Sequence, residues 1–427
     1  MRTVMLKLVG FMGAVVAGAL AQSPTGPLTL QDCIRLAESA PSSVTVARQE
    51  REIVARDVNQ ARAELLPQSR LLNGIIYNSP LLYNREAFSF IPLNGIREYS
   101  SLLTVNQELD TSGRLRAGLA KARAAQDAAA TSVALAQRDL KRAVTAAYYR
   151  AALARRMAQT VEEALAESRA FEKRTRLLFE SGEAAQADVV KASAQVAVFE
   201  QALNVARLEA TLASQELASF WTREVASPLS LADPFEQPLP PPEAAGPSPG
   251  PFLKRLEFNL LEAQRRGAQA DLRRARSGLL PQLGLTFQYG IDSTAVRIRD
   301  RGYAAFVNLT IPLFDWNKAR SAMEQARLRT RQIESVRTIT ERTFSKEYES
   351  ALARVKQLFD QIASTRHQVE LAQEDLRLSR IRYEGGEGSA LDVVTAQTQL
   401  AQARGNFYTV VASYLNAKAD LEVASGR

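Results

Sequence analysis

Apolar residues recur at alternating steps of three and four through residues 348–383. This spacing places them on one side of an α-helix, and it is typical of a coiled-coil stripe sustained for about five heptads. The stripe consists of Tyr348, Ala351, Val355, Leu358, Ile362, Thr365, Val369, Ala372, Leu376, Ser379 and Tyr383. We therefore predict a long helix whose stripe packs against a partner helix.

The same register occurs 204 residues earlier, at positions 144–179, with smaller residues. These positions are Val144, Ala147, Ala151, Ala154, Ala158, Val161, Leu165, Ser168, Glu172, Thr175 and Phe179. Helical patterning there covers about residues 111–180, and a second helix follows over about 184–221. A helix of about 70 residues is about 105 Å long, so the predicted object is a rod rather than a globule.

Period-two alternation replaces the heptads in four other stretches. Apolar residues alternate with small or polar ones over residues 283–291 and 303–311, and the corresponding strands of the first half are about 69–77 and 99–107. Such alternation is typical of a strand between lipid and a polar lumen, but also of a half-buried strand in a soluble sheet. The strands alone leave both interpretations open.

The chain is an internal duplication of a unit with the order helix, two strands, very long helix, helix. Residues 63–68 return as 277–282, Leu109-Asp110 returns as Phe314-Asp315, and residues 179–190 return as 383–394. A single helix is predicted over residues 28–66, ended by Pro67, because a proline disfavours helical geometry in the residue before it.

The predicted domains are a first repeat over 22–226, a proline-rich linker over 227–251 and a second repeat over 252–427. Residues 1–21 precede them as a signal peptide, with basic residues before an apolar run and a small-x-small cleavage site at Ala19-Leu20-Ala21. No later stretch has the roughly 18 consecutive apolar residues of a transmembrane helix. The sequence thus predicts an exported protein without a helical anchor.

Charged residues of both signs are interspersed, although the formal net charge is +8. No basic block of the kind that binds nucleic acid is present, so no nucleic-acid partner is predicted. His367 and Cys33 are the only histidine and cysteine. They leave no nucleophile–base constellation and no metal cluster, so we predict neither an enzyme nor a cofactor. Cys33 is expected to be a small buried residue of the first helix.

Four strands cannot close a barrel, and an open sheet edge is not tolerated in hydrocarbon. Because the smallest bacterial barrels have about eight strands, a membrane sheet of this chain requires more than one copy. The expected fold class is mainly α with a transmembrane β part, in which a long coiled-coil α-helical barrel joins four β-strands per chain.

The chain resembles the outer-membrane efflux family, the TolC-like channel-tunnels, over about residues 28–424. The repeated Leu-Leu-Pro-Gln strand starts, the strand exits at Asp110 and Asp315, and the aromatic-x-x-Gly…Asp-Val hairpins carry the likeness. The resemblance implies a homotrimer in the outer membrane, with a twelve-stranded barrel surrounded by lipid and a helical tunnel in the periplasm.

The resemblance also implies a function. It describes a passive exit duct of a tripartite efflux or type I secretion system, gated at its periplasmic tip. Its partners would be a periplasmic adaptor (membrane fusion) protein and an inner-membrane pump. The alternative left open by the residues is a periplasmic coiled-coil scaffold or adhesin without a barrel.

The two hairpins would lie at the tip of such a tunnel, with turns at Gly182 and at Gly385 and Gly386. By position, Asp392 matches the first aspartate of the family's pore constriction, whereas the second position is Thr395. That departure would weaken the anionic constriction. The simpler interpretation of Asp392 is a carboxylate favoured near a helix N-terminus.

The family ties neighbouring helices together at the tip through a latch of hydrogen bonds. Tyr383 matches the tyrosine of this latch and Asp188 matches its carboxylate partner, although Asp188 also fits a helix N-terminus. The arginine of the latch falls at Gly388. The latch is therefore expected to be weaker here or to be made by other residues.

Overall fold

The computed structural model describes residues 26–81, 84–89, 96–235, 238–242 and 250–426. The predicted signal peptide and residues 236–237 and 243–249 of the predicted linker lie outside the described residues. In the described parts of the chain, no helix is both long enough and apolar enough to cross a bilayer.

Seven α-helices and six strands follow one another in the described residues. The helices are α1 (Leu30–Ser39), α2 (Ser43–Ala63), α3 (Arg114–Glu180), α4 (Gln186–Ala218), α5 (Leu256–Ser277), α6 (Lys318–Glu384) and α7 (Ala390–Ala424). The strands are β1 (Gln68–Tyr77), β2 (Pro80–Leu81), β3 (Asn84–Ser89), β4 (Arg97–Leu109), β5 (Gln282–Ser293) and β6 (Arg301–Thr310). The order predicted from the sequence occurs twice, with β2 and β3 as an additional hairpin in the first repeat.

The prediction of one helix over residues 28–66 is wrong, because the helix is interrupted at Pro41. Ala40, the residue before this proline, has an extended backbone with ψ 156°, as proline requires of its predecessor. A new helix starts directly afterwards, where the Ser42 backbone N–H donates to the Thr45 hydroxyl oxygen at 3.3 Å. The first repeat therefore begins with two shorter helices.

Both long helices have 67 residues and are about 100 Å long. Each of them begins after an aspartate that follows the preceding strand and accepts hydrogen bonds from the first turn of the helix. Asp110 accepts hydrogen bonds from the backbone N–H groups of Leu115 and Arg116 at 2.9 and 3.0 Å, and Asp315 accepts one from Ala319 at 2.8 Å. These bonds satisfy N–H groups that a helix start leaves without partners. They explain why an aspartate follows the strand in both repeats.

The predicted coiled-coil stripes are confirmed by burial. Every stripe position of α6 from Tyr348 to Tyr383 is buried or half-buried, and so is every stripe position of α3 except Phe179. α3 packs along α4, and α6 packs along α7. The remaining length of α3 contacts α2 and α5, so several shorter helices cover one long helix.

β1, β4, β5 and β6 form one antiparallel sheet in that order. The two repeats meet at its centre, where Leu103 of β4 lies opposite Tyr289 of β5. The outer edges of the sheet are β1 from the first repeat and β6 from the second. All odd-numbered residues of these strands share one face, because each pairing joins odd with odd positions.

The described linker residues form a strap across the helices. Leu231 makes a parallel bridge with Leu28, and the Tyr148 hydroxyl of α3 donates to the Ala232 carbonyl at 2.8 Å. Further along, the buried Tyr414 of α7 donates its hydroxyl to the Pro240 carbonyl. The linker therefore contacts both repeats at the middle of the long helices.

Cys33 is fully buried among α1 and its neighbours. Burial raises the pKa of its thiol to about 12, so almost no thiolate is present near neutral pH. We expect a maleimide at neutral pH to leave Cys33 unlabelled in the folded protein and to label it fully in denaturant, as measured by intact-mass spectrometry. Equal labelling rates in both states would contradict this burial.

Candidate pore constriction and latch at the helical hairpins

Two short turns reverse the chain at the far end of the long helices. Gly182 and Gly386 have φ values of +84° and +76°, a region that glycine adopts without strain. Gly385 instead has φ −82°, like its counterpart Ser181 at −84°. Only one glycine in each turn therefore needs left-handed geometry.

Gly388 lies against the last turn of α6. Its backbone N–H donates to the Arg382 carbonyl at 3.0 Å. A Cβ at this position would be 3.1 Å from the Tyr383 nitrogen and 3.2 Å from the Arg382 Cβ, closer than ordinary van der Waals contact. The turn thus favours glycine at position 388.

Asp392 lies exposed in the first turn of α7 and forms a capping box with Ser389. The Ser389 N–H donates to Asp392 Oδ2 at 3.0 Å, and the Asp392 N–H donates to Ser389 Oγ at 3.3 Å. The hydrogen bond from the Ser389 backbone, followed by that with its side chain, lowers the pKa of Asp392 below its usual range. The carboxylate therefore caps the helix and also presents a negative charge to solvent.

Thr395 lies on the same exposed stripe of α7 as Asp392. The stripe continues along the helix at steps of three and four, so its members share one side. It consists of Asp392, Thr395, Gln399, Gln402 and Asn406. Asp392 is the only charged residue of this stripe, and sequence reasoning did not identify the uncharged polar residues behind it.

Asp188 occupies the corresponding first turn of α4. Its nearest cationic partner is Lys191, with 3.7 Å between the Asp188 Oδ1 and Lys191 Nζ atoms. This contact lies within α4, so Asp188 does not tie the two hairpins together in the single chain.

Tyr383 is buried between the two hairpins. Its ring meets Phe171 of α3 edge to face, with 5.2 Å between ring centroids, and Ala192 of α4 belongs to the same apolar cluster. Its hydroxyl has no hydrogen-bond partner among the described residues. Tyr383 therefore joins the hairpins by apolar packing, and the bond to Asp188 is not formed within one chain.

Other side chains connect the hairpins. The Gln195 amide of α4 donates to the Thr398 hydroxyl of α7 at 2.9 Å. Two ion pairs link α3 to the second hairpin: Arg380 Nη2 lies 3.4 Å from Glu167, and Arg404 Nη1 lies 3.0 Å from Glu163. Gln195 is a polar residue among the apolar positions of α4. This is the one signal in the sequence that could have indicated the connection.

No cluster of histidine, cysteine or carboxylate side chains in the described residues could hold a metal ion. Two long coiled-coil hairpins joined to an antiparallel membrane sheet, duplicated within one chain, define the class of outer-membrane channel proteins. The sequence profile described as "Outer membrane efflux protein" matches residues 34–223 and 254–427. The chain belongs to this family of outer-membrane efflux channels, which are not enzymes.

Named relatives agree with this assignment. The pyoverdine export outer membrane protein OpmQ of Pseudomonas aeruginosa is 26% identical over 249 residues, which are 58% of this chain. The matched segment spans about half of that relative, 52% of its length.

Solved structures share the whole fold. The CmeC outer membrane channel of Campylobacter jejuni superimposes with a TM-score of 0.83 at 17% identity, covering 100% of this chain and 94% of that one. The outer membrane protein VceC of Vibrio cholerae gives a TM-score of 0.81 at 18% identity, covering 93% and 96%. The fold is therefore that of the TolC-like channels.

Proposed function

We propose that three copies of this chain form a passive exit duct of a tripartite efflux or type I secretion system. The proposal rests on the sheet, which ends in two free edges, β1 and β6. An edge in hydrocarbon leaves a row of backbone groups without hydrogen bonds, each costing several kcal/mol. Pairing β6 of one copy with β1 of the next removes both edges, and three copies give a twelve-stranded barrel.

The periplasmic tip is proposed to contact an adaptor protein that connects the duct to an inner-membrane pump. Large apolar side chains are exposed on both hairpins close to the turns. They are Leu177, Phe179, Val190, Leu378, Ile381 and Leu391. Exposed apolar residues at the end of a rod support docking of another protein, because such patches are otherwise costly in water.

The polar stripe of α7 is proposed to line the lumen. Its uncharged residues would let hydrophilic cargo pass, and Asp392 would supply a ring of three carboxylates near the narrow end. Such a ring concentrates negative potential and favours cations. Because Thr395 is uncharged, the ring formed by Asp392 would be the only ring of negative charge along the stripe.

The proposed tip is held shut by the Gln195–Thr398 bond, two ion pairs and the packing of Tyr383. Exposed ion pairs each contribute at most about 1 kcal/mol. The buried Tyr383 hydroxyl, which has no partner in the described part of the chain, opposes this packing, since an unsatisfied buried hydroxyl costs about 1–3 kcal/mol. These magnitudes favour a latch that a partner protein can open.

The second candidate function is a periplasmic coiled-coil scaffold or adhesin without a barrel. It would explain the helices, but it would leave the free edges and the exposed apolar face of the sheet in water. A long apolar edge of that kind promotes aggregation. We therefore favour the channel.

Replacing Asp392 with asparagine tests the constriction. In planar bilayers, we expect the cation-to-anion permeability ratio of single channels to fall by about threefold or more, because the ring loses its charge. The matched variant Asp188→Asn removes a carboxylate from the hairpin of α3 and α4 and is expected to leave the ratio unchanged. An unaltered ratio in Asp392→Asn would remove Asp392 from the constriction but leave the channel itself in place.

A further inference from the structure

The apolar face of the sheet carries one tyrosine on each long strand, toward the end away from the helices. The face is marked by exposed residues such as Leu71, Ile75, Phe287, Val307 and Leu309. The tyrosines are Tyr77 on β1, Tyr99 on β4, Tyr289 on β5 and Tyr303 on β6. All four have odd numbers and therefore lie on that face.

Tyrosine is enriched where a membrane protein crosses from hydrocarbon to headgroups, because its ring is apolar and its hydroxyl is polar. The row of tyrosines therefore marks the outer boundary of the hydrocarbon. Residues that lie further from the helices on the same face meet lipid headgroups.

Arginines occupy this outer zone. Arg97 and Arg301 each lie two residues, about 7 Å, beyond the tyrosine of their own strand on the same face, and Arg97 is also directly opposite Tyr77 of β1. Arg297 and Arg299 follow in the loop between β5 and β6. All four are exposed, and none has an ion-pair partner among the described residues. We call these four residues the arginine rim.

The surroundings of the rim leave its positive charge largely uncompensated. The described carboxylates nearby are Glu98 and Asp292, which have even numbers and lie on the opposite face, and Asp300 in the loop. Asp300 is 3.4 Å from the Ser293 hydroxyl rather than paired with an arginine.

The same loop also exposes apolar side chains between its arginines. Val296 and Ile298 alternate with Arg297 and Arg299 and are 72% and 75% exposed. A loop that offers cationic and apolar groups in alternation matches a surface with anionic headgroups above hydrocarbon, as at a membrane interface.

We propose that the arginine rim binds the phosphate groups of a phosphorylated glycolipid in the outer leaflet. Guanidinium groups bind phosphate oxygens through two parallel hydrogen bonds, so several arginines at one end of the sheet favour a headgroup with more than one phosphate. Val296 and Ile298 would contact the acyl chains of the same lipid. Continuity with the lipid-facing tyrosines favours a lipid over a soluble ligand.

This inference rests on the proposed barrel, so the experiment reports on both separately. The full-length protein is purified in detergent, and lipid binding is measured by native mass spectrometry. The probes are bisphosphorylated lipid A, the same lipid after removal of its phosphates, and phosphatidylglycerol. The variant R297Q/R299Q/R301Q is compared with R320Q/R329Q/R331Q, which removes three exposed charges from α6.

We expect the native protein to prefer the bisphosphorylated lipid over both other probes by about tenfold or more, since each arginine near an anionic lipid surface adds to the binding. The rim variant is expected to lose this preference, and the α6 variant to keep it. Equal binding of the dephosphorylated lipid, equal binding of phosphatidylglycerol, or an unchanged rim variant would each overturn the proposal.

Conductance in planar bilayers and heat-modifiable migration of the same preparations test the barrel. Both are expected to be unchanged in the rim variant, because its residues are exposed and lie outside the strand pairs except for Arg301. If the triple variant does not assemble, the single loop variant Arg299→Gln provides the comparison and is expected to weaken binding by severalfold. A native protein that forms no channel would contradict the proposed function rather than the lipid site alone.

Discussion

Alanine at position 290 is expected to abolish assembly of the protein in the outer membrane. Gly290 lies on β5 opposite Leu102 of β4, and a Cβ there would be 1.9 Å from the Ser101 carbonyl oxygen and 3.0 Å from the Leu102 Cα. Its φ of +156° also favours glycine. Because the obstacle is backbone, the two central strands would have to separate to relieve the contact.

Separating β4 from β5 breaks ladder hydrogen bonds between the two repeats, and broken bonds are most costly inside a membrane. We expect Gly290→Ala to lose the heat-modifiable form on denaturing gels and to disappear from the outer-membrane fraction. Gly302→Ala is the matched control. Gly302 of β6 pairs with Gly290, and a Cβ added at Gly302 would meet no atom within 4 Å. Normal yields of assembled Gly290→Ala would contradict the close strand contact.

The long helices and the strands could be predicted from the sequence because each depends on local periodicity. The stripe from Tyr348 to Tyr383 follows a period close to that of a helix, and residues 283–291 follow the period of a strand. These patterns extend over many residues, so an isolated exception such as exposed Phe179 does not obscure them.

Shorter signals within a periodic stretch were harder to interpret. Pro41 interrupts the first helix, but the apolar residues on both sides keep a helical spacing that favoured one continuous element. The restriction that a proline places on its predecessor outweighed that spacing. At Pro67 the same restriction coincides with the start of a strand at Gln68, so the boundary is clear in the sequence.

Contacts at the tip depend on tertiary packing and could not be derived from periodicity. Gln195 and Thr398 are 203 residues apart and belong to different repeats. The resemblance to the family indicated the positions of Tyr383 and Asp188, but it could not indicate that the tyrosine hydroxyl would be buried with no partner among the residues that the structure describes. Gly388 is an intermediate case, since its departure was visible in the sequence and its reason lies in the crowded last turn of α6.

The second large effect is expected in the groove between α3 and α4. This groove has a volume of ≈ 660 Å³ and is lined by apolar residues of both helices, including Leu153 and Met157 of α3 and Val198 and Val205 of α4. Val198 and Val205 are seven residues apart, on one side of α4, and are more than half exposed in the single chain. In the proposed trimer, helices of the neighbouring copy cover this groove.

A carboxylate in the middle of a dry contact carries a desolvation cost of several kcal/mol, repeated at three interfaces. We expect Val205→Asp to elute from size exclusion as a monomer, with about one third of the light-scattering protein mass of the unsubstituted trimer. Its helical circular dichroism is expected to be unchanged, because Phe199 and Leu203, which pack within the chain, remain in place. Asn204→Asp adds the same charge one position away, outside the groove, and is expected to stay trimeric. A trimeric Val205→Asp would mean that the groove faces water in the assembly, and the copies would then have to join through another surface.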